Sequence, residues 1–220
     1  MRGRAARVSG AADVPGAARV PGTADVPGAA RVPGAARVPG TADVPEPPGV
    51  ADDVAVVTTR GDDVVIGPLL PDESEALFAI FDEVVASGDG FPQAPPLTRP
   101  VFDATWVTAV SLCVAARPAA GGELLGAYYV RPNFASRAAH IANAGYVVAS
   151  GYRRRGVGRA LVEDSIWRSA AAGFDAMQFN LVFESNPARR LYESLGWREI
   201  GRIPEAVDGA DALVYWRKVP

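Results

Sequence analysis

From Val14 onward the triplet Val-Pro-Gly recurs every six residues, and that repeat limits how much of the chain can build a core. The segment reads VPGAAR, VPGTAD, VPGAAR, VPGAAR, VPGTAD and then Val44-Pro45-Glu46-Pro47-Pro48. Each Pro removes a backbone donor and restricts the residue before it, while each Gly adds backbone freedom. Pro and Gly supply 16 of the first 50 residues, and the side chains between them are too small to offset the entropy of ordering. A hexapeptide β-helix also repeats every six residues. Proline in every repeat and the shortness of the array argue against it. Residues 1–50 are therefore read as a disordered tail, or as read-through from a mis-called start, and residues 51–220 as one folded domain.

Composition narrows the class of that domain. Hydrophobic residues make up 49% and charged residues 21%, as in ordinary globular proteins. No run of about 18 apolar residues occurs and no signal-peptide core follows the N-terminal arginines, so a cytoplasmic location is expected. The first fifty residues hold six Arg against four acids, and the remainder 16 basic against 21 acidic residues. That balance argues against nucleic acid as the main partner. The lone cysteine, Cys113, lies in an apolar run, and His140 is the lone histidine. Neither an intrachain disulfide nor a bound metal is expected.

Hydrophobic periodicity gives the order of elements. Val54 to Ile66 reads as one or two strands broken at Arg60-Gly61-Asp62-Asp63, and Pro71-Asp72-Glu73-Ser74 opens a helix to about Ala86. The proline-rich stretch 91–104 reads as an ordered loop. Strands follow at about 106–116, 123–131 and 139–149, then a helix at 156–172, a strand at 175–183, a helix at 186–195, and strands near 197–203 and 211–218. The pattern predicts an α/β or mixed α+β sheet.

One junction carries chemistry. The strand Gly145-Tyr146-Val147-Val148-Ala149 runs into Arg153-Arg154-Arg155-Gly156-Val157-Gly158-Arg159 and then into a helix. The first amides of a helix have no internal partner and, with the helix dipole, favour an anion. Gly156 and Gly158 allow close approach, and the four arginines add positive charge. Three-glycine dinucleotide fingerprints and the P-loop lysine are both missing.

Arg153-x-x-Gly156-x-Gly158 resembles the acetyl-CoA signature of the GCN5-related N-acetyltransferase superfamily. So does a second block, Asn186-Pro187-Ala188-Arg189-Arg190-Leu191-Tyr192-Glu193-Ser194-Leu195-Gly196-Trp197. Asn186 suits an N-cap, Pro187 the first helical position and Gly196 the C-terminal stop. The resemblance implies a mixed, mostly antiparallel sheet flanked by helices. It implies that acetyl-CoA is the cosubstrate, its diphosphate held by the backbone of residues 153–159, its pantetheine near Val148 and Asn186, and its sulfur beside Tyr192.

Acyl transfer to an amine needs a neutral amine, a polarised thioester and a proton for the departing thiolate. Tyr192 is the candidate acid, and the backbone N–H near Val148 is the oxyanion donor that the resemblance implies. Glu184 or His140 could act as base. A narrower resemblance rests on Tyr129-Val130-Arg131-Pro132-Asn133-Phe134, on His140-Ile141-Ala142-Asn143-Ala144-Gly145 and on Gln178-Phe179-Asn180. These segments resemble the branch with proline-analogue (L-azetidine-2-carboxylate) N-acetyltransferases, which implies that Asn143 and Asn180 meet a small amino-acid substrate. The expected activity is transfer of acetyl to a small-molecule amine, without a nucleic-acid or membrane partner and with a homodimer left open. A peptide or protein acetyltransferase, a non-catalytic acyl-CoA-binding module and an elastin-like interaction protein are the competing readings.

Overall fold

The computed structural model describes residues 54–60, 63–88, 90–108 and 110–220; the reading of residues 1–50 as a tail lies outside them. Eight strands form one sheet in the order β1-β2-β3-β4-β5-β6-β8-β7. They are β1 (Ala55–Thr58), β2 (Asp63–Pro68), β3 (Leu112–Pro118), β4 (Gly126–Pro132), β5 (Ile141–Val148), β6 (Ala176–Phe183), β7 (Arg198–Val207) and β8 (Ala210–Lys218). Every neighbouring pair is antiparallel except β5 with β6. This is the mixed, mostly antiparallel sheet expected.

Helices cover both faces, because inward-facing side chains of the central strands alternate between two cores. On one face α3 (Val157–Ala171) lies over β4 and β5, burying Leu161 and Ile166 against Tyr128 and Val130. On the other, α1 (Ser74–Ser87) and α2 (Arg99–Trp106) pack Phe81, Phe102 and Trp106 against Ala127, Tyr129 and Val147. A buried network fixes α3 to the sheet. The Tyr128 hydroxyl donates to Asp164 Oδ2 at 2.6 Å, and Arg168 Nε donates to the same oxygen at 2.8 Å. Burial, the largest influence, raises the Asp164 pKa, while these two donors work to keep its charge.

Two expectations need correction. Helix α2 stands where residues 91–104 read as loop, and β3 begins at Leu112 rather than 106. Pro100 occupies the first turn of α2, where a missing N–H costs nothing, so a proline-rich composition concealed a helix start. Phe102 and Trp106, four residues apart, share a face and bury on α1 with Phe81. The last helix, α4 (Arg189–Ser194), starts three residues after Asn186.

At Gly126 two strands approach too closely for a side chain. A Cβ there would lie 2.4 Å from Val147 O and 3.1 Å from Val148 Cα, atoms of the β5 backbone that cannot swing aside. Gly126→Ala is expected to destabilise the domain by about 1–3 kcal/mol; urea unfolding of the purified variant measures it.

Candidate active site

Strands β5 and β6 pair only at Ile141 with Ala176 and Ala142 with Met177. Beyond that point β5 follows β4 and β6 follows β8, so a gap opens in the middle of the sheet. A cavity of about 420 Å³ fills the gap. A β-bulge between Phe179 and Val182 breaks the pairing of β6 with β8 and turns Asn180 and Leu181 to the cavity wall. The cavity reaches both faces of the sheet. Gly158, Val162 and Leu191 line it from the α3 and α4 side, and Val84, Phe91 and Gln93 from the α1 and α2 side.

The loop before α3 meets the cavity at one end. Gly156 takes the N-cap position with φ 97°, and Ala160 N–H closes the first turn on Gly156 O at 3.0 Å. Among the described residues, the amides of residues 154–159 find no acceptor, as a helix N-terminus leaves them. Gly158 lines the cavity, yet a Cβ there would make only an ordinary contact with Val148 Cγ2 at 3.7 Å. The packing of the fold therefore does not require a glycine at 158. The Arg155 carbonyl, accepting Arg60 N–H at 3.2 Å, ties the loop to the turn after β1.

The arginines of this loop divide. Arg153 lines the cavity and donates from Nε to Val148 O at 3.4 Å. Arg155 lies over the Tyr152 ring, 5.4 Å from its centroid. Arg159 pairs with Glu163 at 2.9 Å and donates to Ser194 Oγ at 3.1 Å. Arg154 is exposed with φ 63°, and Val157 buries its side chain in the core.

Val148 ends β5 at the cavity. Ala149 N–H donates to Leu125 O at 2.9 Å, on the β4 side. Alternation along a strand turns the Val148 amide the other way, toward the gap.

Tyr192 projects from α4 into an aromatic cluster, with ring centroids 4.9 Å from Phe179 and 5.9 Å from Trp197. Its hydroxyl has no hydrogen-bond partner among the described residues, and the residue lines the cavity. Burial pushes its pKa well above the ordinary tyrosine value. The neighbouring Tyr146 also lines the cavity, but its hydroxyl is held against Ser165 Oγ at 2.8 Å. Asn186 lines the cavity too, although its Oδ1 accepts Ala188 N–H at 2.8 Å. It caps the turn that precedes α4 rather than the helix itself, because Pro187 is followed by a turn closed by Arg189 N–H on Asn186 O at 3.3 Å.

Asn143 and Asn180 come together through a residue that sequence reasoning did not single out. Asn133 Oδ1 accepts from Asn143 Nδ2 at 3.3 Å and from Asn180 Nδ2, while Asn133 Nδ2 donates to Asn180 Oδ1 at 3.0 Å. Asn143 also donates to Gln178 O at 3.1 Å across the strand gap. Arg131, Phe91 and Gln93 were missed as well. The segment Arg131-Pro132-Asn133 carried a signal as a motif, whereas Phe91 and Gln93 come from the supposed loop and carried none.

Neither base candidate reaches the cavity wall. The Glu184 carboxylate is exposed and paired with Arg202 at 3.1 Å, and the exposed His140 sets Nδ1 3.0 Å from Arg137 O.

Residues 108–199 match the family described as acetyltransferase (GNAT) domain. N-acetyltransferase aca1 of Schizosaccharomyces pombe is 39% identical over 84 residues, which are 38% of this chain and 40% of the yeast protein. The solved GCN5-related N-acetyltransferase from Kribbella flavida is 33% identical, covers 71% of this chain and 98% of its own, and superposes with a TM-score of 0.66. The chain belongs to the GCN5-related N-acetyltransferase (GNAT) family. A GNAT phosphinothricin acetyltransferase from Sinorhizobium meliloti, solved in complex with AcCoA, shares the fold at a TM-score of 0.62 and 18% identity, covering 71% of this chain and 88% of its own.

In this GNAT domain the space at Gly158 separates ligand binding from folding. Gly158→Ala is expected to leave thermal stability unchanged or raised by about 0.5–1 kcal/mol, as alanine suits a helix better than glycine. Calorimetry with acetyl-CoA should meanwhile show weaker binding, and Gly158→Asp should weaken it further by repelling phosphate. Unimpaired binding by the aspartate variant would remove the loop from the diphosphate site.

Proposed function

We propose that this GNAT domain transfers the acetyl group of acetyl-CoA directly to the nitrogen of a small amine in the cytoplasm. One observation carries the reading. Gly158, from a helix start whose amides are unengaged among the described residues, and Tyr192, whose hydroxyl is likewise unengaged among them, line a single cavity that opens to both faces of the sheet. Two reactants can then meet from opposite sides.

The residues fit acetyl-CoA. Amides 154–159 and the charge of Arg153 suit its diphosphate, with Arg154, Arg155 and Arg159 adding positive potential at the loop. Val148 at the open edge of β5 and Asn186 beside α4 flank the pantetheine path. Bound there, acetyl-CoA supplies the activated thioester. The Val148 amide, directed into the gap, is placed to donate to the carbonyl oxygen as charge develops on it. The Tyr192 hydroxyl, having no other partner among the described residues, holds the proton that the departing thiolate takes. With Glu184 and His140 away from the cavity wall, the amine attacks in its neutral form, and the proton its nitrogen then sheds passes through water to restore the Tyr192 hydroxyl.

A cavity of about 420 Å³ suits a small acceptor. Asn143 and Asn180 offer both donors and acceptors to an amino acid or proline analogue. A protein or peptide amine is the second reading, and it would call for an open groove in place of the walled gap.

Tyr192→Phe is expected to lower kcat by about 100-fold or more while acetyl-CoA affinity is kept. Unchanged turnover would take the acid role from Tyr192. The pH dependence gives an independent check. The protonated hydroxyl is the donor, present below its pKa, and burial raises that pKa. So kcat should hold level to at least about pH 10, whereas a decline centred near pH 8 would assign the acid to another group.

A further inference from the structure

We propose that Arg131 selects acceptors that carry a carboxylate, gripping the acid end of the amine on the face of the sheet opposite the phosphate loop. The inference rests on the acetyltransferase reading and adds the feature by which the acceptor is chosen.

Arg131 stands where two cavities meet. It lines the cavity between β5 and β6, and also a second one of about 520 Å³ beside Pro132, Asn133 and Phe134. Asn143 and Asn180 line both as well. Arg131 pairs in register with Asn143, so their side chains leave the same face of neighbouring strands. That face is settled by Tyr129, two residues earlier on β4, which packs edge-on against Trp106 at 5.2 Å in the α1 and α2 layer. The Arg131 guanidinium lies over the Tyr129 ring, 5.1 Å from its centroid. The phosphate loop and α3 occupy the other face. Arg131 is therefore on the wrong side of the sheet to serve a diphosphate.

Among the described residues no carboxylate comes within ion-pair distance of Arg131, and its contact with Tyr129 leaves the guanidinium donors unengaged. A planar fork of N–H donors on an aromatic platform matches a carboxylate through two parallel hydrogen bonds. The neighbouring carboxamides are uncharged and can orient an acceptor without choosing its charge. Selection between an amino acid and the same amine without its acid group thus falls to Arg131. A polyamine or a lysine-rich peptide would bring more positive charge to a wall that already holds Arg131 and Arg153.

Matched pairs test this: L-proline with pyrrolidine, L-azetidine-2-carboxylate with azetidine, and L-leucine with isoamylamine. Acetyl transfer to each is followed by thiol release from acetyl-CoA. The native protein should favour at least one acid over its partner amine by about 10- to 100-fold in kcat/KM, the range of a charge-assisted hydrogen bond. Arg131→Gln should abolish that preference by lowering kcat/KM for the acid, with the plain amine unaffected. Arg131→Lys should restore part of it. Calorimetric affinity for acetyl-CoA should be the same in all three proteins, which shows that the variants fold. Equal use of acid and amine by the native protein, an equal loss on both in Arg131→Gln, or acetyl-CoA binding without turnover of any acid would overturn the proposal while leaving the cosubstrate site in place. Failure of the native protein to bind acetyl-CoA at all would overturn the acetyltransferase reading, and this inference with it.

Discussion

Two strands that begin as neighbours and then part give this domain its site. After Ile141–Ala176 and Ala142–Met177 the ladder between β5 and β6 ends, while β5 stays paired with β4 and β6, apart from a bulge, with β8. Backbone groups on the inner edges are then left without sheet partners inside a protein interior. Such groups are costly unless something binds them. A gap of this kind is stable only if strong ladders and cores hold its two sides, and here each side belongs to a long antiparallel ribbon. The bulge at Asn180 and Leu181 adds a further unpaired stretch on the β6 side. Cavity and sheet are therefore one feature: closing the gap with regular pairing would erase the site.

The two faces of the gap work by different chemistry. On the α3 face the proposed recognition rests on backbone amides, which any sequence supplies so long as the helix starts there and no Cβ stands in front of it. The burden then rests on holding the helix in place. Tyr128, Asp164 and Arg168 do so in the core, as does the Tyr146–Ser165 contact, which ties cavity-lining β5 to the middle of α3. On the opposite face the wall is built from side chains: the Asn133, Asn143 and Asn180 carboxamides, Arg131, and Gln93 from the segment before α2. Gln93 donates to Thr105 Oγ at 3.5 Å and leaves its Oε1 without a partner among the described residues.

Legibility followed the range of the interactions. The strand, glycine loop and helix at 145–171 were readable because hydrophobic period, glycine position and helix-start chemistry are local. The Asn186–Trp197 block was nearly so; its helix starts three residues late because Pro187 favours a turn that the Asn186 side chain stabilises. Helix α2 was missed because proline in a first turn looks like proline in a loop. What distinguishes the two is the burial of Phe102 and Trp106 on α1, a contact made some twenty residues away along the chain. Glu184 sits two residues before Asn186, so it looked near the chemistry, yet the turn after β6 sends its carboxylate outward to Arg202.

By itself the sequence determined most of the succession of strands and helices and the helix start with its unpaired amides, whereas Tyr192, Asn143 and Asn180 were marked by the family resemblance. The first two follow from residues close together in the chain, where period, caps and glycine placement act directly. Only the tertiary structure decided where β5 and β6 separate, which faces the two ends of the cavity occupy, and that Asn133 joins Asn143 to Asn180. The same assembly left Arg131 without a counter-ion among the described residues and gave Glu184 one in Arg202. Those outcomes depend on which strands pair and for how long, a competition among distant segments that no local pattern records.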